Sequence, residues 1–116
     1  MEVQIFGVKK SADTRKALRF FAERRVRVHF VDLSERAASR GELMRFVQRF
    51  GIVALVDKES RRYLELGLGG SIRNEANWLV LVAEEPLLLR MPLVRTGNAL
   101  TIGLAESKWT EWSRGK

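Results

Sequence analysis

The sequence contains no cysteine and only one histidine, His29. The absence of cysteine excludes disulfides, thiolate metal sites and a thiol nucleophile within this chain. A single histidine leaves no imidazole pair for acid–base catalysis and no histidine-rich metal site. We therefore expect this protein to hold neither a metal ion nor a cofactor.

Long apolar runs are also absent from the sequence. No stretch approaches the roughly 20 apolar residues that a transmembrane helix needs. The first residues lack the apolar segment of a signal peptide. We therefore expect a cytoplasmic protein with no membrane as a partner.

The residues that are present are typical of a globular protein, with 46% hydrophobic and 30% charged residues among 116. This length suits one domain, so we predict a single domain over residues 1–116. The net charge of +7 favours acidic partners, whether nucleic acid, an acidic protein surface or small anions. No run of five like charges occurs, however, and basic residues spread along helices are typical of a solvated surface.

A short polar turn joins the first predicted strand to the first predicted helix. The apolar run 3–8, interrupted at Gly7, is typical of a buried strand. Either Ser11 or Asp13 can cap the helix that follows. Its predicted apolar face comprises Ala17, Leu18, Phe21 and Ala22, with Phe20 beside it. Free N–H groups and the helix dipole make such a helix N-terminus a candidate anion site.

Residues 26–33 alternate in hydrophobicity, which predicts a second strand. One face carries Val26, Val28 and Phe30, and the other carries Arg27, His29 and Val31. A right-handed helical crossover would place this strand parallel to the first. Because no partner for His29 is evident nearby, we interpret it as a surface or helix-covered residue rather than a general base.

The middle of the chain is predicted to be helical. Ser39 and Glu42 match a capping box, and the helix that they begin ends at Gly51. Its apolar residues, at i, i+3, i+4 and i+7, are Leu43, Phe46, Val47 and Phe50. A short apolar segment covers 52–56, and residues 63–68 are predicted to form a short helix that ends at Gly67.

The glycine-rich segment 67–71 is interpreted as a connector. It lacks the preceding strand and the Lys-Ser/Thr pair of a phosphate-binding loop. Residues 74–77 begin the next helix, which ends before Pro86. The broad apolar face predicted for this helix comprises Trp78, Leu79, Leu81, Val82 and Ala83.

The last part of the chain is predicted to form a β-hairpin and a helix. A strand ending at Arg95, a turn over 96–98 and a returning strand over 99–104 make an antiparallel pair. Trp109 and Trp112, spaced i, i+3, are interpreted as a lid on the sheet rather than a stacking platform for nucleic acid. The predicted fold class is α/β. It is a thioredoxin-like mixed sheet of about four strands, in the order β-α-β, helical insertion, β-hairpin and C-terminal helix.

Four segments carry a resemblance to a known family. Residues 5–11 and 15–18 are similar to an aromatic-Gly-Ile-Lys-Asn-Cys turn followed by a Lys-Ala helix. Residues 85–94 are similar to a Pro-Leu-Leu-Ile-x-Arg-Pro-hydrophobic signature, and 63–68 and 97–103 resemble further elements of the same family. This is the arsenate reductase-like family, which includes glutaredoxin-coupled arsenate reductases, Spx-type transcription regulators and nitrogenase-associated proteins. The resemblance implies a thioredoxin-like fold over nearly the whole chain.

The positions that carry the chemistry of this family differ here. In the reductases a cysteine thiolate attacks the arsenic, and arginines lower its pKa and hold the oxyanion. The cysteine position falls on Ser11, and the arginine positions fall on Met91, near Asp57 and on Gly103. A serine hydroxyl would need a general base instead. The resemblance therefore implies that reduction is lost, and the Cys-x-x-Cys switch of the Spx-type members is absent too.

The resemblance implies two further properties. Pro92 corresponds to the cis-proline that faces the active-site turn of thioredoxin-like folds, so the Met91–Pro92 bond is expected to be cis. The protein is expected to be catalytically inactive and to act as a protein-binding or regulatory module of Spx type. By analogy, its partner would be an acidic protein of the transcription machinery. The charge also permits nucleic acid, although no recognition motif accompanies it.

Two alternatives stay open at this point. An anion-binding module would gather Lys9, Lys10, Ser11 and Arg15 at the helix N-terminus, with Arg90 approaching, around a small oxyanion. The simpler interpretation of Ser11 is that it only caps the helix. The second alternative is a residual oxidoreductase activity linked to glutathione or glutaredoxin, for which the fold is the only argument.

Overall fold

Residues 1–70 and 73–114 are described by the computed structural model of the chain. They fall into two units, one built from the described residues of Met1–Arg36 and Met91–Lys116 and the other from those of Ala37–Arg90. The elements in chain order are β1 (Glu2–Gly7), α1 (Ala12–Glu23), β2 (Arg27–Asp32), α2 (Arg40–Phe50), α3 (Ile52–Leu55), α4 (Arg61–Glu65), α5 (Glu75–Glu84), a 3₁₀ turn (Pro86–Leu88), β3 (Leu93–Thr96), β4 (Ala99–Ile102) and α6 (Glu106–Arg114).

The first unit contains a four-stranded sheet in the order β2-β1-β3-β4. Strands β1 and β2 are parallel, and Gly7 at the end of β1 pairs with Asp32 at the end of β2. Strand β3 runs antiparallel to both β1 and β4. This arrangement confirms the predicted thioredoxin-like mixed sheet and places the end of β1 directly before the turn into α1.

One face of this sheet packs against α1 and α6. The buried cluster comprises Val3, Ile5, Ala17, Phe20, Phe21, Val26, Val94 and Trp109. The indole N–H of Trp109 donates to Thr101 Oγ1 over 2.9 Å, so this buried polar pair is satisfied. Trp109 thus covers the sheet as predicted, while Trp112 packs at the margin of the cluster and stays partly buried.

The predicted core face of α1 is wrong at one residue, because Ala22 is exposed. The buried residues of this helix are Thr14, Ala17, Phe20 and Phe21. At about 3.6 residues per turn, Ala22 points away from the direction shared by Ala17 and Phe21. The buried stripe therefore runs through Thr14, which the hydrophobicity pattern could not include.

In the second unit, the capping box predicted for α2 is present. Ser39 Oγ accepts from the Glu42 backbone N–H, and Glu42 Oε1 accepts from the Ser39 backbone N–H. The helix buries Leu43, Phe46 and Val47, but Phe50 is 38% exposed, which corrects its predicted place in the core. Phe50 is the last residue of α2, and at Gly51 the chain turns away with φ of +81°.

The rest of the second unit follows the predicted order with small shifts. Helix α4 begins at Arg61, two residues earlier than predicted, and Gly67 adopts φ of +64° just beyond it. Helix α5 buries Trp78, Leu79 and Val82, whereas Leu81 and Ala83 are only half-buried. Of the glycine-rich segment, Ser71 lies outside the described residues.

An ion pair and a backbone bridge complete the second unit. The Arg62 guanidinium donates through Nε to Glu85 Oε2 and through Nη2 to Glu85 Oε1, each over 2.8 Å. This pairing lowers the pKa of Glu85, since hydrogen bonds to the ionised carboxylate favour it. Val56 and Leu89 form an antiparallel bridge.

Within residues 1–70 and 73–114, no helix is long and apolar enough to cross a membrane.

Candidate functional site

The turn between β1 and α1 is closed by backbone hydrogen bonds and a helix cap. The Ser11 N–H donates to Val8 O over 3.0 Å, and Ser11 Oγ accepts from the Thr14 N–H over 3.1 Å. Of the two predicted caps, Ser11 is therefore the one that is used. Lys9 and Lys10 are exposed at the tip of the turn.

The side chain of Arg15, at the start of α1, binds the carbonyl groups of the loop between β1 and α1. Its Nη1 donates to Lys9 O over 2.7 Å and to Lys10 O over 3.0 Å. A guanidinium carries five N–H donors, so these two bonds position the group without using all of its donors. The sequence predicted Arg15 as an anion ligand, whereas its contacts in the structure are with the carbonyls of the turn.

An acidic side chain lies close to the same turn. Hydrogen bonds from the Ser34 hydroxyl and the Ser34 backbone N–H lower the pKa of Asp32, and the positive charge of Lys9 adds a smaller effect. Asp32 ends β2 opposite Gly7. Its ionised carboxylate offsets part of the positive charge of Lys9 and repels an incoming anion. Asp32 was not among the predicted site residues, although its place at the end of the second parallel strand was a usable signal.

Thr14 is the polar residue buried directly behind the turn. It is fully buried, and its Oγ1 has no hydrogen-bond partner among the described residues. Its side chain lies against Gly7 at the end of β1. A buried hydroxyl without a hydrogen-bond partner lowers the stability of the folded protein. The packing of Thr14 against Gly7 therefore comes with a cost from its unpaired hydroxyl.

The other predicted site residues lie at different places in the fold. The Met91–Pro92 peptide bond is cis, and Pro92 O accepts from the Gly103 N–H over 2.8 Å. Arg90 belongs to the second unit, where its backbone N–H donates to Leu55 O and its side chain is exposed. His29 is exposed on β2, where it pairs with Gln4 of β1 and stands three positions before Asp32. His29 is therefore away from the turn, as a surface histidine rather than a base for Ser11.

The positive charge of the chain is concentrated around α1. Residues 9–27 contain eight basic residues and only two acidic ones, a net charge of +6 out of +7 for the whole sequence. All eight are exposed, and we call them the α1 basic surface: Lys9, Lys10, Arg15, Lys16, Arg19, Arg24, Arg25 and Arg27. These charges were predicted to be spread along helices. A count over a window of about 20 residues would have found the cluster.

Two further observations describe the chemistry available in the described ranges 1–70 and 73–114. No group of three histidine, aspartate or glutamate side chains there could hold a metal ion. The guanidinium of Arg24 lies 3.6 Å from the centre of the Phe20 ring and donates to Phe20 O. One cation of the α1 basic surface, Arg24, is thus held against the helix by these two contacts.

Comparisons with known proteins give a consistent result. The model of the ArsC family matches residues 6–112. The uncharacterised protein YusI of Bacillus subtilis strain 168 is 24% identical over 115 residues, which cover 96% of this chain and 98% of YusI.

Solved structures are similar along nearly the whole chain. The YFFB protein superposes with a TM-score of 0.86 at 18% identity, covering 94% of this chain and 96% of that one. An arsenate reductase from Vibrio cholerae superposes with a TM-score of 0.81 at 24% identity, covering 96% of this chain and 97% of that one. At these identities the two superpositions show a shared fold.

Proposed function

Because the chain belongs to the ArsC family, we propose that it is a non-catalytic member that binds an acidic protein partner through the α1 basic surface. The observation that carries this proposal is the environment of Ser11. The family's nucleophile position holds a hydroxyl that caps α1 by accepting from the Thr14 N–H. Most of the net charge of the chain lies in residues 9–27, which comprise the helix that this residue caps and the basic segments on either side of it.

The chemistry around Ser11 favours binding over catalysis. Activating a serine hydroxyl requires a nearby base, and His29, the one histidine of the chain, is exposed on the opposite half of β2. Asp32 is near the turn, but its carboxylate is engaged by Ser34. The family resemblance also places Met91 and Gly103 where the reductases carry arginines.

The composition of the α1 basic surface favours a protein partner over nucleic acid. Five of its eight cations are arginines, whose planar forks match carboxylates and phosphates alike, so the distinction comes from the neighbouring residues. The surface contains no asparagine, glutamine or exposed aromatic residue that could read or stack a base. Charge complementarity with an acidic protein would speed association and fix orientation. The Spx-type resemblance points to the transcription machinery as the place to look for this partner.

Charge reversal with a matched control tests this proposal. Lys16→Glu with Arg19→Glu reverses two exposed charges on α1, and Arg45→Glu with Arg49→Glu makes the same change on the exposed face of α2. The proposal expects the wild-type protein and the α2 variant to retain one acidic protein from nuclease-treated native lysate and to bind polyglutamate, whereas the α1 variant loses both. Equal retention by all three proteins, or binding that nuclease abolishes, would contradict it.

A turnover assay separates this proposal from residual oxidoreductase activity. Arsenate, glutathione and glutaredoxin are supplied with the wild-type protein or with Ser11→Ala. A non-catalytic protein gives the same background rate in both. Turnover that depends on Ser11 would replace the binding proposal with an enzymatic one.

A second candidate function is oxyanion binding at the turn. Lys9 and Lys10 are exposed beside the N-terminus of the twelve-residue helix α1, and Arg15 is fixed beneath them. Backbone donors and flanking cations suit a phosphate-like group. Thermal-shift measurements with phosphate, sulfate and arsenate at constant ionic strength test it. A stabilisation lost in Lys9→Gln with Lys10→Gln would support it, and the absence of any shift at millimolar anion would exclude it.

A further inference from the structure

The sheet face opposite Trp109 is divided into a buried end and an open end. At one end Phe6 on β1 pairs with Val31 and Leu93 on the neighbouring strands, and all three are buried. Two residues earlier on the same face, Gln4 is only half-buried. A central strand of an α/β sheet is normally covered on both faces, so this open end requires an explanation.

Three polar side chains lie in a row across the open end. Gln4 pairs with His29 on β2 and with Arg95 on β3. Residues paired across strands project to the same face, and neighbouring strands lie about 4.8 Å apart. The amide of Gln4 is therefore flanked by an imidazole on one side and a guanidinium on the other.

These three side chains are without polar partners among the residues that the structure describes. Across the described parts of the chain, none of Gln4, His29 and Arg95 makes a side-chain hydrogen bond or an ion pair. They line an open cavity of about 330 Å³, together with Glu2, Val3 and Gly97. Their hydrogen-bonding capacity is thus available to a small molecule in this cavity.

The rim of the cavity is formed by a hydrogen bond between two strands and by a glycine turn, not by bulky side chains. The Thr96 hydroxyl donates to Glu2 O over 2.8 Å, which ties the end of β3 to the start of β1. At Gly97, which adopts φ of +57°, a Cβ atom would meet nothing within 4 Å. The turn beside the cavity therefore leaves its mouth unobstructed.

The surrounding charges favour an anion. Arg95 lies in the cavity, and a second cavity that shares Glu2 as a lining residue is lined by Arg25 and Arg27 as well. Glu2 is the acidic residue of both linings, and it is paired in register with Arg27. Cross-strand pairing of opposite charges reduces its repulsion of an anion.

We infer that the row His29–Gln4–Arg95 binds the oxyanion group of a small molecule, a carboxylate or a phosphate. The guanidinium of Arg95 presents a fork that fits two oxygens of such a group. The amide of Gln4 and an imidazole N–H of His29 supply further hydrogen-bond donors from the adjacent strands. This site lies on the sheet face, away from the β1–α1 turn, and the three residues that form it are not part of the α1 basic surface, although Arg25 and Arg27 of that surface line the neighbouring cavity.

Titration followed by nuclear magnetic resonance tests this inference. Acetate and inorganic phosphate are added separately to the ¹⁵N-labelled full chain, at an ionic strength kept constant with chloride because salt screens surface charge. Signals of the Gln4 amide, the His29 ring and the Arg95 Nε–H report the site. Arg95→Gln removes the fork, Arg95→Lys keeps the charge without it, and Arg49→Gln removes an exposed charge elsewhere.

The site predicts saturable shifts at Gln4, His29 and Arg95 with at least one of the two probes. Arg95→Gln should weaken binding about tenfold or more, as expected for loss of a charged hydrogen-bonding group, with Arg95→Lys between it and the wild type. Arg49→Gln should bind normally. A response to acetate alone identifies a carboxylate ligand, and a response to phosphate alone identifies a phosphate ester. No saturable shift with either probe, shifts that persist in Arg95→Gln, or shifts confined to residues 9–15 would overturn the inference.

Discussion

Gly7 lies so close to Thr14 that a Cβ atom at position 7 would be 2.4 Å from Thr14 Oγ1 and 2.8 Å from Thr14 Cγ2. Glycine is needed at position 7 because there is no room for a Cβ atom. Backbone conformation is not the reason, because the φ of Gly7 is not in the left-handed region. Thr14 is fully buried in the first turns of α1, so its β-branched side chain has little freedom to move away. This contact joins the end of β1 to the start of α1 and sets the distance that the turn must bridge.

Gly7→Ala should destabilise the protein by about 1–3 kcal/mol, because the added methyl group overlaps a buried side chain. Combining it with Thr14→Ala removes the two atoms in closest contact and should restore part of the loss. Urea unfolding of both single variants and the double variant gives the coupling between the two positions. Additive changes with no coupling would show that the close contact is not the cause.

Thr14→Val should stabilise the protein by about 1 kcal/mol. The Thr14 hydroxyl is buried without a partner, and removing such a group relieves its desolvation penalty. The backbone N–H of residue 14 still donates to Ser11 Oγ, so the cap is unchanged. The midpoint of thermal unfolding checks this, with Thr101→Val as a contrast. That substitution removes a buried hydroxyl that accepts from Trp109 and should destabilise.

Ser11→Ala should cost about 1 kcal/mol of stability, the usual loss for an N-cap side chain. Ser11→Asp should retain most of the stability, because a carboxylate can also accept from the Thr14 N–H and favours the helix N-terminus. Chemical denaturation of the two variants measures the difference. If Ser11→Ala were as stable as the wild type, the capping role of Ser11 would be wrong.

Ser11→Cys should create a thiol with a pKa below the ordinary value of about 8.5, owing to the helix N-terminus and the neighbouring lysines. The chain has no other cysteine, so the rate of alkylation against pH reports this thiol alone. The variant should nevertheless reduce arsenate no faster than the wild type, because the family's arginine positions remain unfilled. Val53→Cys, in an exposed position of the second unit, supplies a thiol with no lysine close in sequence for comparison.

The Arg62–Glu85 pair should contribute stability that depends on pH. The pKa of Glu85 is lowered in the folded protein by Arg62, so its contribution is fully present above the ordinary glutamate pKa of about 4.3. It is lost as the pH falls through the lowered value. Glu85→Gln should therefore have a lower Tm than the wild type at neutral pH, and the difference should shrink in strong acid. Glu84→Gln, the same change one residue earlier, should show no such dependence.

The local elements were predictable because their signals are local. The capping pair Ser39–Glu42 and the cap at Ser11 each depend on residues three positions apart, and both are present. The parallel direction of β2 relative to β1 followed from hydrophobic alternation and the handedness of the crossover, whereas the place of β3 beside β1 came only from the structure. Ala22 was assigned wrongly because it lies off the stripe that Ala17 and Phe21 share. Phe50 was assigned wrongly because it is the last residue of α2, where the chain turns away at Gly51, and periodicity does not show where a helix leaves the core.

The details of the turn required the folded chain. Asp32 reaches the vicinity of Lys9 only because β2 lies parallel to β1 in a particular register. The bonds from Arg15 to the carbonyls of the turn depend on the angle at which α1 leaves it. The row of Gln4, His29 and Arg95 joins residues up to 91 positions apart, and a shift of one residue in strand pairing would turn Arg95 to the other face.

The sequence by itself determined which chemistry is excluded and which elements form. It has no thiol and one histidine, it places Ser11 where the family carries its nucleophile, and it concentrates a net charge of +6 in residues 9–27. Tertiary structure decided what these residues contact. It makes Ser11 the helix cap, sets Thr14 against Gly7 and leaves three polar side chains in an open cavity. Local sequence patterns report on residues a few positions apart. These contacts depend instead on strand register and helix packing between distant segments.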